Sequence, residues 1–446
     1  MGDNKPLFCL SEELKRQVQR RKQEIDKGDL TDDLRLKDVR PLVAPVPLQY
    51  FDPAQLPGIR EYLGLRQSVE MLGVKDPFFR VHEGIPGATT RIGGKEYLNF
   101  SNYNYLDLNG HPEVQDAACE AIGRYGTSAS ASRMVSGERP LHSQLEHALA
   151  DFLGTEDCVA LVSGHATNVT VIGHLFGPRD LILHDALAHN SVLQGALLSG
   201  AKRLSFPHND WQALDDMLRS MRAGFERVLI VVEGLYSMDG DYPDLPRFVE
   251  IRERYKTFLL IDEAHSIGVM GTTGRGIAEH FGLPRSSADF WMGTMSKTFS
   301  GCGGFIAGQG LIVDYLRHTA PGFLYSVGMS PPLAAAALKS LEILQREPER
   351  CRALRRVGRQ FLKLCKAEGL DTGLSAGLSI VPIIVGSSMG AMSLSSKLFD
   401  RGLNVQPIFA PAVEERQARL RFFLCSEHTD AQLEATVKAV AAGLAG

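Results

Sequence analysis

The sequence predicts an α/β protein with a mostly parallel sheet, helices on both faces of that sheet, and a smaller C-terminal α+β domain. Between about residues 110 and 330, short apolar runs alternate with segments of helix length. This alternation is typical of right-handed crossover connections, which place successive strands in parallel. After about residue 335, a long helical segment is followed by short strand-like runs with helices between them, which is the pattern of an α+β domain.

The length and composition set the class of protein. At 446 residues the chain is too long for a single hydrophobic core. We predict three parts: a helix and an extended arm over residues 1–95, a large domain over 96–333 and a small domain over 334–446. With 44% hydrophobic and 22% charged residues, the composition is that of an ordinary globular protein. The net charge of −4 is the wrong sign for a nucleic-acid partner, and we expect none.

The N-terminal part contains three recognisable patterns. A highly charged segment, Glu12–Lys27, predicts a solvated helix. Residues 40–60 are rich in proline and predict an extended arm. The segment TTRIGGKEYLNF, Thr89–Phe100, predicts a hairpin that turns at Gly93-Gly94.

Short apolar runs bounded by glycine and polar residues predict the strands of the large domain. These runs are Val159–Val162, Leu181–His184, Val228–Glu233, Phe258–Asp262, Phe290–Gly293 and Phe305–Ala307. The small domain is predicted to begin with a long helix, Pro332–Gln345, and to contain strands at Ser379–Val385 and Leu420–Leu424.

The first residues lack the basic and then apolar pattern of a secretory signal, and no apolar run reaches the length of a membrane span. We therefore expect a cytoplasmic protein without a membrane span. Seven widely spaced cysteines form no C-x-x-C pair, which argues against a disulfide framework.

Polar side chains follow two of the predicted strands. Asp262 and His265 end one strand, and Thr294 and Lys297 end the next. Ligands of open parallel sheets bind at the carboxyl ends of the strands. A carboxylate, an imidazole and a lysine presented together there indicate a site for pyridoxal 5′-phosphate (PLP), in which lysine forms the Schiff base and the carboxylate pairs with the pyridine nitrogen.

Each of these residue types is required by PLP chemistry. A lysine amine becomes a nucleophile when desolvation and neighbouring cations lower its pKa. A buried carboxylate keeps the pyridine nitrogen protonated, since it favours the charged form of its partner.

The segment Asp262-Glu263-Ala264-His265 also matches the metal-binding box of helicase ATPases. That box requires an upstream phosphate loop, G-x-x-x-x-G-K-[ST]. The sequence has none, because Gly94-Lys95 is followed by Glu96. We therefore favour the PLP site and predict no metal ligand set.

Several spaced motifs closely resemble the α-oxoamine synthase family of fold-type I PLP-dependent enzymes. From about Tyr97 to the C-terminus, these motifs are YNYLDLNGHPEV, YGTSASASRMVSGERPLHSQLE, LVSGHATN, HDALAHNS, EGLYSMDGD, IDEAHSIGVMG, GTMSKTFSGCGG, YSVGMSPP and RLRFFLCSEHT. The resemblance implies decarboxylative condensation of an amino acid with an acyl thioester, carried by coenzyme A or by an acyl carrier protein.

The resemblance also assigns catalytic roles. Lys297 would be the Schiff-base lysine, Asp262 would pair with the pyridine nitrogen, and His265 would bond to the cofactor's O3′. His189, in HDALAHNS, matches the histidine that stacks on the ring. A structural histidine at a strand end is the alternative for His189.

Six further positions match cofactor-binding residues. Gly164 and His165 match a glycine–aromatic pair beside the phosphate, although histidine stands here in place of the commoner Phe or Tyr. Thr294 would also hold the phosphate, and Ser326 would reach the phosphate of a partner subunit. Glu233 and Ser237 match residues that line the cofactor pocket, with buried core polar groups as the alternative.

The remaining assignments concern the amino acid. Arg421 matches the arginine that clamps the substrate carboxylate, a task suited to the guanidinium fork. Arg419 should face the same side of its strand and stays an alternative. Tyr103 and Asn104, in SNYNYLDL, are expected to contact the amino acid. Tyr103 replaces a common asparagine, and Asp107 replaces a common glycine.

Two other functions remain open at this stage. A plain aminotransferase would share the lysine and the aspartate but would use no thioester. A catalytically silent partner subunit is the second alternative, although the presence of Lys297, Asp262 and His189 argues against it. We expect a homodimer with shared active sites, and the segment before Pro77 either recognises the acyl donor or wraps the dimer.

Overall fold

The structure of the protein, a computed structural model, describes residues 46–71 and 77–445. The chain forms two compact units, residues 1–73 and residues 74–446. The first unit contains single turns of 3-10 helix at Leu48–Tyr50 and Pro53–Gln55, followed by helix α1, Pro57–Met71. The helix predicted over Glu12–Lys27 lies outside the described residues.

The extended arm predicted for residues 40–60 is wrong over the part that the structure describes. Asp52 accepts a hydrogen bond from the backbone N–H of Ala54 and starts a helical turn. Pro57 is the first residue of α1. Proline suits the first position of a helix, because its φ is already helical and its missing N–H would be unpaired there in any case. Among the described prolines of this stretch, Pro53 and Pro57 thus begin helical turns instead of extending the chain.

The second unit contains the strands and the other α-helices of the described residues, numbered here in chain order. The strands are β1 Thr89–Ile92, β2 Lys95–Asn99, β3 Asp157–Leu161, β4 Leu181–Asp185, β5 Lys202–Phe206, β6 Val228–Glu233, β7 Phe258–Asp262, β8 Phe290–Thr294, β9 Gly304–Gly308, β10 Ile380–Ile384, β11 Leu403–Asn404, β12 Gln406–Ile408 and β13 Arg419–Phe423. The helices are α2 Pro112–Tyr125, α3 Pro140–Leu153, α4 Gly164–Leu175, α5 Asn190–Ser199, α6 Trp211–Met221, α7 Leu245–Tyr255, α8 Ile277–Phe281, α9 Gly310–Thr319, α10 Pro321–Leu324, α11 Pro331–Arg346, α12 Glu349–Ala367, α13 Ser388–Asp400 and α14 Asp430–Ala445.

A seven-stranded sheet forms the centre of this unit, in the order β3-β9-β8-β7-β6-β4-β5. The strands from β8 to β5 are parallel, and β9 runs antiparallel to both β8 and β3. The prediction of a mostly parallel sheet is confirmed. Strand β5 was missed because its sequence, KRLSF, is polar and largely exposed at the edge of the sheet, so it lacks the apolar run of a central strand.

Two smaller sheets lie in the same unit. Strands β10, β13 and β12 form an antiparallel sheet, which places the two strands predicted for the small domain side by side. The predicted hairpin is confirmed as β1 and β2, with positive φ angles at Gly93 and Gly94 that glycine adopts without strain. Strand β2 also pairs in parallel with β11, although about 300 residues separate them.

The parallel strands all end at one edge of the large sheet. Strand β6 ends in Glu233, β7 ends in Asp262 and β8 ends in Thr294. Their inner residues are buried between helices on both faces, so these three polar ends are held on a rigid support. Among the described helices, none combines the length and the apolar character needed to cross a bilayer.

Candidate active site

A cleft of about 410 Å³ opens at this edge of the large sheet. Eleven of the residues predicted from sequence line it: Tyr103, Gly164, His165, His189, Glu233, Ser237, Asp262, His265, Thr294, Lys297 and Arg421. The other lining residues are Ser163, Asn168, Ser191, Met238, Ala264, Met292 and Ser296. The structure therefore brings the predicted acid, imidazoles, lysine and arginine into one cavity.

Asp262 is fixed at the end of β7 by two hydrogen bonds. The side-chain amide of Asn168 donates to Oδ2 at 2.8 Å, and the backbone N–H of Ala264 donates to Oδ1 at 3.0 Å. Asp262 is 4% exposed. Both oxygens have a donor, so the carboxylate is held in one orientation toward the cleft.

Asn168 also connects Asp262 with His189. Its amide donates to Ser191 Oγ at 2.9 Å, and Ser191 Oγ lies 2.7 Å from His189 Nδ1. The backbone N–H of Ser191 donates to the same ring nitrogen at 3.2 Å, so Nδ1 is an acceptor and Nε2 carries the proton. Burial lowers the pKa of His189, which favours this neutral ring. The pair Asn168 and Ser191 thus sets the tautomer of His189.

Lys297 lies beyond β8 with its amine buried in the cleft. Burial lowers the pKa of Lys297 to about 8, against the opposing effect of Asp262 and Glu233. Its Nζ lies 5.6 Å from the centre of the Tyr103 ring. A lysine with such a pKa supplies far more free amine near neutral pH than a surface lysine does.

His265 is buried and held by Tyr105. The phenol oxygen of Tyr105 lies 2.7 Å from Nδ1 of His265. Burial and the cations Lys297 and Arg421 lower the pKa of His265 well below its usual range, so the ring is neutral. The edge of the Tyr103 ring also packs against His265, with ring centres 6.0 Å apart.

The first turn of α4 forms a concave polar end of the cleft. Ser163 caps this 12-residue helix by accepting from the backbone N–H of Ala166 at 3.2 Å. Gly164 approaches Thr294 so closely that an added Cβ would lie 2.9 Å from Thr294 Oγ1. Free N–H groups and the helix dipole make such an end suitable for a phosphate, flanked here by His165 and Ser296.

Glu233 is a second buried carboxyl group beside Asp262. Burial and the charge of Asp262 raise the pKa of Glu233 well above its usual range. Its Oε1 accepts from the backbone N–H of His189 at 2.7 Å. Glu233 therefore holds the start of α5 in place while it faces the cleft.

The two arginines of β13 reach the same loop but have different partners. Arg419 is 4% exposed and forms an ion pair with Asp239 at 2.8 Å. Arg421 donates from Nη1 to the carbonyl of Ser237 at 3.0 Å, and its buried Nε has no hydrogen-bond partner among the described residues. Arg421 therefore lines the cleft with a donor, Nε, that no described residue engages. Arg419 is already paired with Asp239.

Two predicted residues lie outside the cleft. The amide of Asn104 donates to the carbonyl of Pro86 and to Asp107, and its oxygen accepts from the backbone N–H groups of Leu108 and Asn109. Within this chain, its predicted contact with the amino acid is not supported, because its hydrogen-bonding capacity is used by its own loop. Ser326 is also absent from the walls of the cleft that its own chain forms.

Three residues that hold the site were not singled out from the sequence: Asn168, Ser191 and Tyr105. All three stand inside quoted motifs, LVSGHATN, HDALAHNS and YNYLDL. Asn168 lies one turn after Gly164 on α4, and the spacing of four residues places both on one helix face. That spacing was the signal available.

Known proteins are similar to this chain over most of its length. The family model for aminotransferase class I and II matches residues 95–440. The 8-amino-7-oxononanoate synthase of Geobacter sulfurreducens is 38% identical over 365 residues, which are 81% of this chain and 92% of that protein. The serine palmitoyltransferase of Bacteroides thetaiotaomicron is 34% identical over 362 residues, which are 81% of this chain and 91% of that protein.

Solved structures show the same fold. A variant serine palmitoyltransferase from S. paucimobilis with a bound PLP–myriocin aldimine has a TM-score of 0.83 at 29% identity, covering 90% of this chain and 98% of that one. The central sheet and the C-terminal sheet described above are those of a fold-type I PLP-dependent transferase. On the motifs, the cleft and these similarities together, the chain belongs to the α-oxoamine synthase family of PLP-dependent enzymes.

Proposed function

We propose that this protein catalyses the decarboxylative condensation of an amino acid with an acyl thioester. The products are an α-amino ketone, CO2 and the free thiol. The observation that carries the proposal is that Arg421, whose buried Nε has no hydrogen-bond partner among the described residues, lies in one cleft with Lys297 and Asp262. The names of the synthase and palmitoyltransferase relatives support this reaction class.

The residues of the cleft fit PLP. The capped first turn of α4, with Gly164 and Thr294, offers a concave anion site for the phosphate. In the same cleft, Asp262 is oriented by two donors, as a partner for a protonated pyridine nitrogen requires. Lys297 has the lowered pKa that reaction with an aldehyde requires. When bound, PLP supplies an electron sink conjugated to the substrate amine.

Three side chains of the cleft bind the substrate, transfer a proton and stabilise charge. Arg421 binds the carboxylate of the amino acid, for which its unpartnered Nε and its Nη groups supply the donors. Lys297 Nζ, once released as a free amine, takes the proton from Cα of the amino acid, because burial keeps its pKa within reach of neutral pH. Asp262 stabilises the developing negative charge by holding a positive partner opposite it.

His265 contributes a neutral hydrogen-bond donor. If Nδ1 accepts from the phenol of Tyr105, the proton resides on Nε2, which is then the free donor of a ring that lines the cleft. A donor there polarises the thioester carbonyl, so that the carbon nucleophile adds and the thiolate departs. Loss of CO2 from the resulting β-keto acid completes the reaction.

An assay of two products tests this reaction. The PLP-loaded protein is incubated with glycine, alanine, serine or threonine and with an acyl thioester, and free thiol and CO2 are measured. We expect stoichiometric release of both, dependent on the amino acid and on the thioester. Amino-group transfer to a 2-oxo acid with no thiol release would instead assign a plain aminotransferase, and no reaction with any pair would favour a silent subunit.

We further propose a homodimer in which Ser326 serves the partner's cofactor. The support is local: Tyr325 is 88% exposed and Val327 is 49% exposed on either side of it. Mixed dimers of Lys297→Ala and Ser326→Ala chains provide a test. If Ser326 serves the partner's site, each mixed dimer contains one intact site and recovers activity, whereas a fully active monomer in solution would contradict the proposal.

The acyl donor is proposed to be a thioester of coenzyme A or of a carrier protein, and the segment before Pro77 is proposed to take part in recognising it. A charged segment such as Glu12–Lys27 would orient a charged partner and act on donor binding alone. Deletion of residues 1–30 should then raise the KM for one donor in a salt-dependent way. An unchanged KM for both donors with a lowered melting temperature would assign the segment a structural role.

A further inference from the structure

His208 lies between two carboxylates just after strand β5. Its Nδ1 lies 2.8 Å from Asp185 Oδ1, and its Nε2 lies 2.9 Å from Asp241 Oδ2. Asp185 ends β4 and is fully buried, whereas Asp241 belongs to the loop that follows β6. The imidazole therefore connects the large sheet with that loop.

Neighbouring groups complete this connection. Asn209 donates its backbone N–H to Asp185 Oδ2 at 2.8 Å and its side-chain amide to Asp241 Oδ2 at 2.7 Å. Tyr236 is fully buried and presents its ring at 88° to His208, with ring centres 4.5 Å apart. The backbone N–H of Tyr236 donates to the carbonyl of Asp241 at 2.9 Å, and this hydrogen bond joins the two ends of the loop 236–241.

The groups that face His208 favour its charged form. Burial alone would disfavour a charged ring, but the hydrogen bonds to Asp185 and Asp241 outweigh it and raise the pKa of His208 to about 10. A doubly protonated ring donates from both nitrogens, as two carboxylate partners require. The His208 side chain is 14% exposed, so the pair of charge-assisted bonds is only partly screened by water.

The loop held in this way is the surface against which Arg421 rests. Residues 236–241 present the carbonyl of Ser237 and the sulfur of Met238 to Arg421 Nη1, at 3.0 and 3.6 Å. The loop is also tied to β13 by the ion pair between Asp239 and Arg419. The direction of the free Arg421 Nε consequently depends on where this loop lies.

We infer that His208 is a positioning residue for the amino-acid site: it fixes the loop 236–241 on the large sheet and thereby aims Arg421 at the substrate carboxylate. This inference rests on the carboxylate-binding role proposed for Arg421. His208 itself does not line the cleft, so it acts through the loop. Its loss should weaken binding of the amino acid while the cofactor stays bound.

The test compares three variants in the PLP-loaded protein. Each is titrated calorimetrically with the amino acid that wild type binds best among glycine, alanine, serine and threonine. His208→Ala should raise the dissociation constant about tenfold or more, a loss of ~1.4 kcal/mol or more in binding free energy. Asp289→Asn serves as the matched control, because Asp289 holds Arg252 and the backbone N–H of Leu259 at the opposite edge of the sheet. It should lower the melting temperature and leave amino-acid affinity unchanged.

Arg421→Lys separates the inference from the proposed function. If Arg421→Lys leaves amino-acid affinity unchanged, the carboxylate clamp itself is wrong. If Arg421→Lys weakens binding but His208→Ala behaves like Asp289→Asn, only the positioning role of His208 is overturned. Kinetics add a second readout: the KM for the amino acid should rise in His208→Ala, and kcat at saturation should change by less than about tenfold.

Two conservative variants keep the test decisive if His208→Ala does not fold. His208→Gln retains a neutral donor for one carboxylate, and Asp241→Asn keeps the shape of the network without the second charge. We expect both to bind the amino acid with affinity between those of wild type and Arg421→Lys. Wild-type affinity in both, with a lowered melting temperature, would overturn the inference.

Discussion

The phenol oxygen of Tyr105 lies 2.7 Å from Nδ1 of His265, both side chains are buried, and His265 lines the cleft. Burial and the nearby cations Lys297 and Arg421 keep the His265 ring neutral by lowering its pKa. A neutral imidazole has one donor and one acceptor, so whatever bonds to Nδ1 decides what Nε2 does. In the proposed mechanism, Tyr105 is therefore the residue that makes His265 a donor toward the substrate.

Removal of this phenol tests the tautomer. Tyr105→Phe should lower kcat by roughly tenfold, since a buried neutral hydrogen bond contributes about 0.5–1.5 kcal/mol and the ring becomes free to reverse its tautomer. Melting temperature and cofactor content should stay near wild type. Tyr97→Phe is a suitable control, because that tyrosine stacks on Phe399 away from the cleft. Equal kcat values for the two variants would argue against the assignment.

Loss of the Lys297 amine should abolish catalysis without unfolding the chain. Lys297→Ala is expected to lower turnover by about 10²–10⁴-fold or more, because we propose this residue as both the attachment point and the general base. Thiol release measures turnover, and circular dichroism checks the fold. Lys366→Ala, at an exposed position on α12, controls for the loss of a lysine. Turnover within about tenfold of wild type would refute the assignment, since that corresponds to only ~1.4 kcal/mol of barrier.

The pKa of Lys297 also predicts how the cofactor-free protein takes up PLP. Attachment needs the unprotonated amine, and burial lowers the pKa of Lys297 to about 8. The rate of covalent uptake should therefore rise with pH and level off above about pH 8, far below the ~10.4 of an ordinary lysine. Stopped-flow absorbance at a series of pH values measures this rate. A rate that keeps rising through pH 10 would show that burial does not tune this amine.

The clamp role of Arg421 predicts a selective effect on one substrate. Arg421→Lys should raise the KM for the amino acid by about tenfold to a hundredfold, because lysine cannot bind a carboxylate in the bidentate geometry. The KM for the thioester should stay the same. Arg346→Lys, at an exposed ion pair with Glu113, is the matched control. A parallel rise in both KM values would indicate a general disturbance of the cleft.

His208 predicts a pH dependence of stability. Its folded pKa is raised to about 10 by Asp185 and Asp241, whereas the unfolded value is about 6.5. The stabilisation is thus complete below about pH 6.5 and is lost as pH rises through 10, because the folded state binds the extra proton in that window. Urea unfolding at pH 7 and pH 10 should show a smaller decline in His208→Gln than in wild type. Identical declines would exclude this linkage.

The sequence predicted most of the large sheet because its central strands are buried on both faces and are therefore apolar throughout. The same fact located Asp262, Thr294 and Lys297, since polar residues that directly follow such strands must lie at one edge of the sheet. Strand β5 was not predicted, because an edge strand such as KRLSF is exposed to solvent and does not need an apolar run.

Side-chain partners were harder to predict than strand positions. Asparagine can bond to its own loop or to a distant group, and only the folded chain shows that Asn104 does the first and Asn168 the second. Arg419 and Arg421 share one face of β13, so their spacing alone leaves them equivalent. Asp239, 180 residues earlier in the chain, distinguishes the two arginines by pairing with Arg419.

The pairing of β2 with β11 has a consequence for exchanging parts between related enzymes. The segment that carries Tyr103 and Tyr105 precedes the large sheet in sequence, yet it is hydrogen-bonded to the C-terminal region: Phe423 N–H donates to the carbonyl of Phe100, and Ser426 N–H to that of Tyr105, both at 2.9 Å. A chimera that replaces only residues after 330 would take the two sides of this backbone network from different parents. We therefore expect that transfer of a relative's substrate specificity requires exchange of residues 77–110 together with residues 330–445, although these two segments are far apart in the gene.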